Sequence, residues 1–183
     1  MPVLIAAVVL VGLLCALDLI LTLGVIKRLR EHTALMAKFA ANSPGRPPVI
    51  EVGAEVGEFS AVTVDGAALT RDSLSGDTLV AFFSPNCGPC HEMIPKFVAY
   101  ARATAGGRDR VLAVVVGTTE RSRDQVAALT PAARVVVEAG DPVVSEAFKV
   151  RGFPTLLQVT RDRDGRQVIA GNQLDLDAPA VAA

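Results

Sequence analysis

Apolar residues are arranged along this chain in three ways, and each arrangement predicts a different element. Residues 3–26 form one apolar block of 24 positions, interrupted by Asp18, Thr22 and two glycines. Short unbroken runs at 79–83 (LVAFF), 111–116 (VLAVVV) and 134–137 (RVVV) predict strands covered on both faces. Apolar positions at Ile94, Phe97, Val98 and Ala101 have helical spacing, predicting a helix from about Cys87 to Thr104, stopped by Gly106-Gly107. A second helix is expected over 120–129, with Val126 and Leu129 facing inward. A third, short one is expected over 143–148, ending near Gly152. Residues 59–64 alternate enough for a strand before the turn signal Asp65-Gly66. Residues 72–76 read as a helical turn or loop. Residues 155–160 and 167–170 pair as a hairpin around Asp164-Gly165. Strands alternating with helices, then a final hairpin, predict an α/β domain with a mostly parallel central sheet flanked by helices. Active residues then belong at the C-terminal edge of the central strands.

The first block is long enough to matter on its own. At 1.5 Å per residue it spans about 36 Å, against roughly 30 Å of bilayer hydrocarbon. No Lys or Arg precedes it, it is too long for a cleaved leader, and no Ala-x-Ala site follows closely. Leu14 is too bulky for a lipoprotein box at Cys15. The expectation is one retained transmembrane helix, so the chain is a single-pass protein of the cell membrane. Asp18 within it would contact a partner helix or sit toward one interface; Cys15 is an apolar filler. The helix is expected to run on to about residue 41, and NSPGRPP (42–48) reads as a linker. The organisation is thus 1–41 membrane and juxtamembrane helix, 42–50 linker, 51–173 α/β domain and 174–183 tail.

Composition removes several classes of function. The net charge of −1 gives no electrostatic footprint for nucleic acid. The three cysteines are too few for a disulfide scaffold. The chain has no Trp and one Tyr, which disfavours aromatic ligand cages.

Two of those cysteines carry the candidate chemistry. Cys87-Gly88-Pro89-Cys90 follows a buried strand directly and opens a helix. A thiol there faces unpaired N–H groups and the positive end of the helix dipole. Both favour thiolate, which makes the cysteine a nucleophile near neutral pH. Cys87, at the exposed end, would attack. Cys90, one turn further in, can close a disulfide with it and would resolve. Pro89 has no N–H to donate and suits a first helical turn. Gly88 lets the turn close and leaves space for a partner's backbone.

At this point the chain resembles the thioredoxin fold. Cys-Gly-Pro-Cys is identical to the thioredoxin motif, Pro95 stands where that family kinks its helix, and Gly152-Phe153-Pro154-Thr155 opens a strand as its cis-proline loop does. The resemblance implies a thioredoxin-like central mixed sheet flanked by helices and a cis Phe153–Pro154 bond, with Gly88, Pro89, Phe153, Pro154 and Thr155 binding the substrate chain. VGAEVGEFSAVTVDG (52–66) resembles the N-terminal extension of membrane-anchored TlpA- and ResA-like disulfide reductases. The anchor together with FFSPNC (82–87) looks most like MauD-type methylamine-utilisation proteins. The implied activity is that of a thiol-disulfide oxidoreductase which reduces or isomerises protein disulfides, with maturation of exported redox proteins as the setting the resemblance suggests. Its only cofactor is the redox-active disulfide; no metal is expected. Expected partners are protein disulfides and an electron donor in the membrane. Gly-Pro between the cysteines is similar to reducing thioredoxin, near about −270 mV. There are departures: Asn86 replaces the family's Trp, Gly57 the extension's proline, Ala81 the buried acid of thioredoxin and Met93 the reductases' helix acid, with Glu92 one position off.

Three other readings of the motif fit the sequence less well. Cys87 to His91 fits the C-x-x-C-H pattern of c-type haem, but His32 and a few Met are the only further axial candidates. Structural zinc needs four ligands, which two Cys and one His do not supply. A peroxiredoxin would need proline where Val80 stands. A non-catalytic, membrane-anchored docking partner is the remaining alternative. His91 itself reads as a solvent-facing residue that raises the positive field, or as a proton carrier. Orientation sets two rules against each other. Lys27, Arg28 and Arg30 after the span argue for a cytoplasmic domain, whereas the resemblance implies an extracytoplasmic one. The second is the expectation, because a tether suits exported substrates.

Overall fold

The computed structural model describes residues 50–176 apart from Ser75 and Gln173, together with Gly12. The expected membrane span at 3–26, the helix to 41, nearly all of the linker and most of the tail lie outside the described residues. Among the described residues no helix is long and apolar enough to cross a membrane. Every element below belongs to the unit Pro47–Ala183.

In chain order the elements are β1 (Ser60–Val62), β2 (Ala68–Thr70), β3 (Thr78–Phe83), α1 (Gly88–Ala103), β4 (Val111–Val116), α2 (Thr119–Leu129), β5 (Arg134–Glu138), α3 (Val143–Ala147), β6 (Thr155–Arg161) and β7 (Gln167–Gly171). Single-turn 3-10 helices occupy Arg71–Ser73 and Gly107–Arg110. The main sheet has the order β5-β4-β3-β6-β7. Its β3–β4 and β4–β5 pairs are parallel, whereas β3–β6 and β6–β7 are antiparallel. The sheet is therefore mixed, as the resemblance implies, rather than mostly parallel, as the alternation of strands and helices alone predicts. The apolar runs marked which strands are central but carried no information about the direction of β6. β1 and β2 form a separate two-stranded sheet, and β2 was not expected at all: it holds one buried residue, Leu69.

All six residues of β3 are buried, because the strand lies mid-sheet and both faces are covered. Side chains alternate between the faces. Val80 and Phe82 belong to one apolar layer with Phe59 and Phe148. Leu79, Ala81 and Phe83 belong to the other, with Cys90, Ile94 and Phe97 of α1. Phe148 stacks at tilted angles on Phe82 and Phe59, with ring centroids 5.3 and 5.9 Å away.

Both outer strands are engaged by the segment that precedes β2. Gly53 N–H donates to Ile169 O and Val56 N–H to Gln167 O on β7. Further along, Val64 N–H donates to Val135 O on β5. Val56 and Phe59, between these contacts, are buried in the layer of Phe82 and Phe148. Backbone groups on a sheet margin invite pairing with other chains unless they are occupied.

The β1–β2 turn is tied to the rest by a charge pair. Asp65 accepts from Thr63 Oγ1 and from Arg108 Nη2 at 2.8 Å. The Thr63 hydroxyl first, then the Arg108 guanidinium, hold the Asp65 carboxyl down at about 2. A carboxylate whose pKa falls on folding stabilises the folded state above its unfolded value, near 3.9, and ceases to as pH drops through the folded one. Part of the stability is therefore expected to disappear between about pH 4 and pH 2. Asp65→Asn should flatten that portion of a stability-against-pH curve measured by urea unfolding; an unchanged slope would rule the pair out as a contributor.

Candidate active site

The cysteine loop begins where β3 leaves the sheet. The Cys87 N–H donates to Ser84 O at 3.1 Å, closing the turn Ser84-Pro85-Asn86-Cys87. Cys87 is the N-cap of α1, with extended backbone (φ −103, ψ 107), and its Sγ accepts from Cys90 N at 3.2 Å. Pro89 stands in the first helical turn, where no acidic residue opposes the dipole. Gly88, Pro89 and Asn86 are exposed and Cys87 is half-buried. Cys90 is fully buried among Ala81, Phe83, Ile94 and Phe97. The two cysteines are joined in a disulfide, with their Cα atoms 5.3 Å apart. One sulfur is thus reachable from solvent and the other is held in the core.

The second wall of the site comes from β6. Thr155 pairs with Phe82, so Pro154 lies beside the end of β3, where the cysteine loop starts. The Phe153–Pro154 bond is cis. Phe153 is 36% exposed and Thr155 is buried, its hydroxyl donating to Gly152 O at 2.7 Å. Gly88, Pro89, Phe153, Pro154 and Thr155 are thus gathered at one edge of the sheet with the disulfide.

The chain enters that wall through α3. Glu138, at the end of β5 and only 5% exposed, accepts from Val144 N at 2.6 Å and from the Ser145 amide and hydroxyl. A buried carboxylate thereby caps the free amides of a short helix. Lys149 after it turns the chain with a positive φ of 51, toward Gly152 and Phe153. Glu138 was not singled out from the sequence, since an acid ending an apolar run is ordinarily read as the return to solvent.

Two more residues escaped sequence reading. On α2 the buried positions are Ser122, Gln125 and Leu129; Leu129 faces inward as expected, and Val126, partly buried, packs against the same layer. Gln125 Nε2 donates to Ser84 O at 3.2 Å. Gln125 Oε1 and Ser122 Oγ are buried with no hydrogen-bond partner among the described residues, a cost of about 1–3 kcal/mol each. Beside them, a Cβ at Gly117 would come 2.6 Å from Pro85 Cγ, so Pro85 can rest there only against a glycine. His91 is exposed and its Nε2 lies 3.1 Å from Pro85 O; a carbonyl only accepts, so that nitrogen carries the hydrogen. Ala81 is buried in the layer of Cys90, Met93 packs against it, and Glu92 is exposed. Among the described residues no group of His, Cys, Asp or Glu is placed to hold a metal ion.

No family model matches the chain, and no curated protein matches it. Solved structures do. A thiol:disulfide interchange protein from Bacteroides sp. superposes with a TM-score of 0.53 at 20% identity, over 70% of this chain and 84% of that one. The dsbF protein of MTB, solved in mixed oxidized and reduced forms, superposes with a TM-score of 0.51 at 22% identity, over 65% and 87%.

The fold is thioredoxin-like.

At such identities the likeness speaks for architecture alone. Within the thioredoxin-like fold, a helix-opening Cys-x-x-Cys after the central strand and a proline loop on the neighbouring antiparallel strand account for the arrangement described above.

Proposed function

We propose that the chain is a thiol-disulfide oxidoreductase that reduces or isomerises protein disulfides through Cys87 and Cys90. The observation that carries the reading is the disulfide between a half-buried N-cap cysteine and a fully buried one at the start of α1. In the dithiol form the Cys87 thiolate attacks one sulfur of a substrate disulfide. A bond forms between Cys87 Sγ and that sulfur, and the other substrate sulfur leaves as a thiolate and takes up a proton. The Cys90 thiolate then attacks Cys87 Sγ and releases the second substrate thiol. Two electrons have passed to the substrate and the Cys87–Cys90 disulfide is left. A dithiol donor must return those electrons before the next cycle.

The finer reading follows the resemblance to TlpA-, ResA- and MauD-type proteins. The substrates are then exported redox proteins, the span at 3–26 holds the domain on the outer side of the cell membrane, and the donor is a membrane protein. The haem alternative is disfavoured because Cys90 is fully buried among Ala81, Phe83, Ile94 and Phe97, where its sulfur is out of reach of a porphyrin edge.

The test is capture. The Cys90→Ser chain, reduced and mixed with a disulfide-containing protein, is expected to accumulate a mixed disulfide at Cys87 that dithiothreitol releases. Cys87→Ser should form none. Absence of any adduct with Cys90→Ser would overturn the reading.

A further inference from the structure

We propose that Gln125 is a positioning residue for Cys87, acting through the Ser84 carbonyl; the inference rests on the oxidoreductase reading above. Ser84 O accepts from two donors, Cys87 N–H at 3.1 Å and Gln125 Nε2 at 3.2 Å. The first fixes where the N-cap sits, and the second fixes the carbonyl itself from α2, an element with no cysteine. Gln125 is 4% exposed, so its amide is not displaced by bulk water. Gly117 supports the same loop next to this contact, its hydrogen-only side chain seating Pro85.

Stability alone does not account for a polar side chain here. Gln125 satisfies its nitrogen but leaves Oε1 unpartnered, next to an unpartnered Ser122 hydroxyl on the same helix face. A half-satisfied polar pair in a core is worse than apolar side chains of similar size. What the amide does provide is a fixed carbonyl under the cysteine turn. That matters most in the dithiol form, when the sulfur–sulfur bond no longer restrains Cys87. Its Sγ must then stay where Cys90 N–H can donate to it, 3.2 Å away, because hydrogen bonds to a thiolate favour the charged form. Gln125 therefore sets the acidity of Cys87 without touching sulfur or substrate.

The experiment follows thiolate absorbance against pH in the reduced full-length chain, with the equilibrium constant against glutathione measured in parallel. Gln125→Met keeps the length and loses the donor. The Cys87 acid dissociation constant is expected to fall by about threefold or more, and the glutathione equilibrium to move with it. Val126→Ala, on the same helix, serves as the control: it should reduce stability yet leave the Cys87 titration where it was. If Gln125→Met does not fold, Gln125→Leu, which carries neither donor nor charge, is read the same way. A wild-type Cys87 titration in the donor-free variant would overturn the inference. A wild-type chain whose own dithiol exchanged with nothing would instead remove the reading beneath it, so the two failures are distinguishable.

Discussion

Cys87→Ala is expected to lower the rate of insulin disulfide reduction by at least about 10³-fold, because it removes the nucleophile itself. Cys90 does not take over: it is fully buried behind the loop, and an attacking thiolate needs access. The substitution also deletes the sulfur that accepts from Cys90 N, and losing a helix cap costs about 1 kcal/mol. That loss is too small to unfold an ordinary domain, so circular dichroism should report a folded but inactive chain. Cys87→Ser restores a cap oxygen and should regain stability without regaining turnover. Full activity in either variant would refute the assignment of Cys87 as nucleophile.

Phe148→Ala should destabilise the domain by about 3–5 kcal/mol, the usual range for deleting a buried ring. Phe148 is fully buried and its ring meets both Phe82 of the central strand and Phe59 of the N-terminal segment. Truncation leaves two rings facing a void, and the neighbouring β3 backbone is held in the sheet ladder from both sides. The measurement is urea unfolding, with the midpoint falling and the slope unchanged. A loss under about 1.5 kcal/mol would mean that the surroundings collapse onto the space. Phe148 also directly precedes the turn at Lys149 that leads into the proline loop, so the proposed disulfide exchange should slow before the chain unfolds.

The central strands were legible in the sequence because β3 and β4 lie under helices or loops on both sides. Apolar residues are then required at every position, and the run is unbroken. The cysteine pair was legible for a related reason: strand, turn and helix follow one another without insertion, so the motif's place in the fold could be read locally. The proline loop came from resemblance alone, since nothing in Gly152-Phe153-Pro154-Thr155 says that Thr155 will pair with Phe82 some 70 positions earlier. Gln125 and Ser122 were not legible. Hydrophobic periodicity assigns polar residues to solvent, and only the fold reveals a carbonyl for Gln125 to hold. The same blindness hid Glu138: the short helix over 143–148 was expected, but nothing in the sequence says that its Val144 and Ser145 amides turn back onto the acid that ends β5.

The segment that runs from Gly53 to Val64 fastens to the two outermost strands of the sheet and crosses one of its faces between them. It works as a belt with a buckle at each hip. A protease that cut it midway, or a substitution that lifted Phe59 from beneath it, would slacken both margins together. Exposed margins are where neighbouring chains add on, so the damage from such a nick would show first as self-association, ahead of any loss at the cysteines.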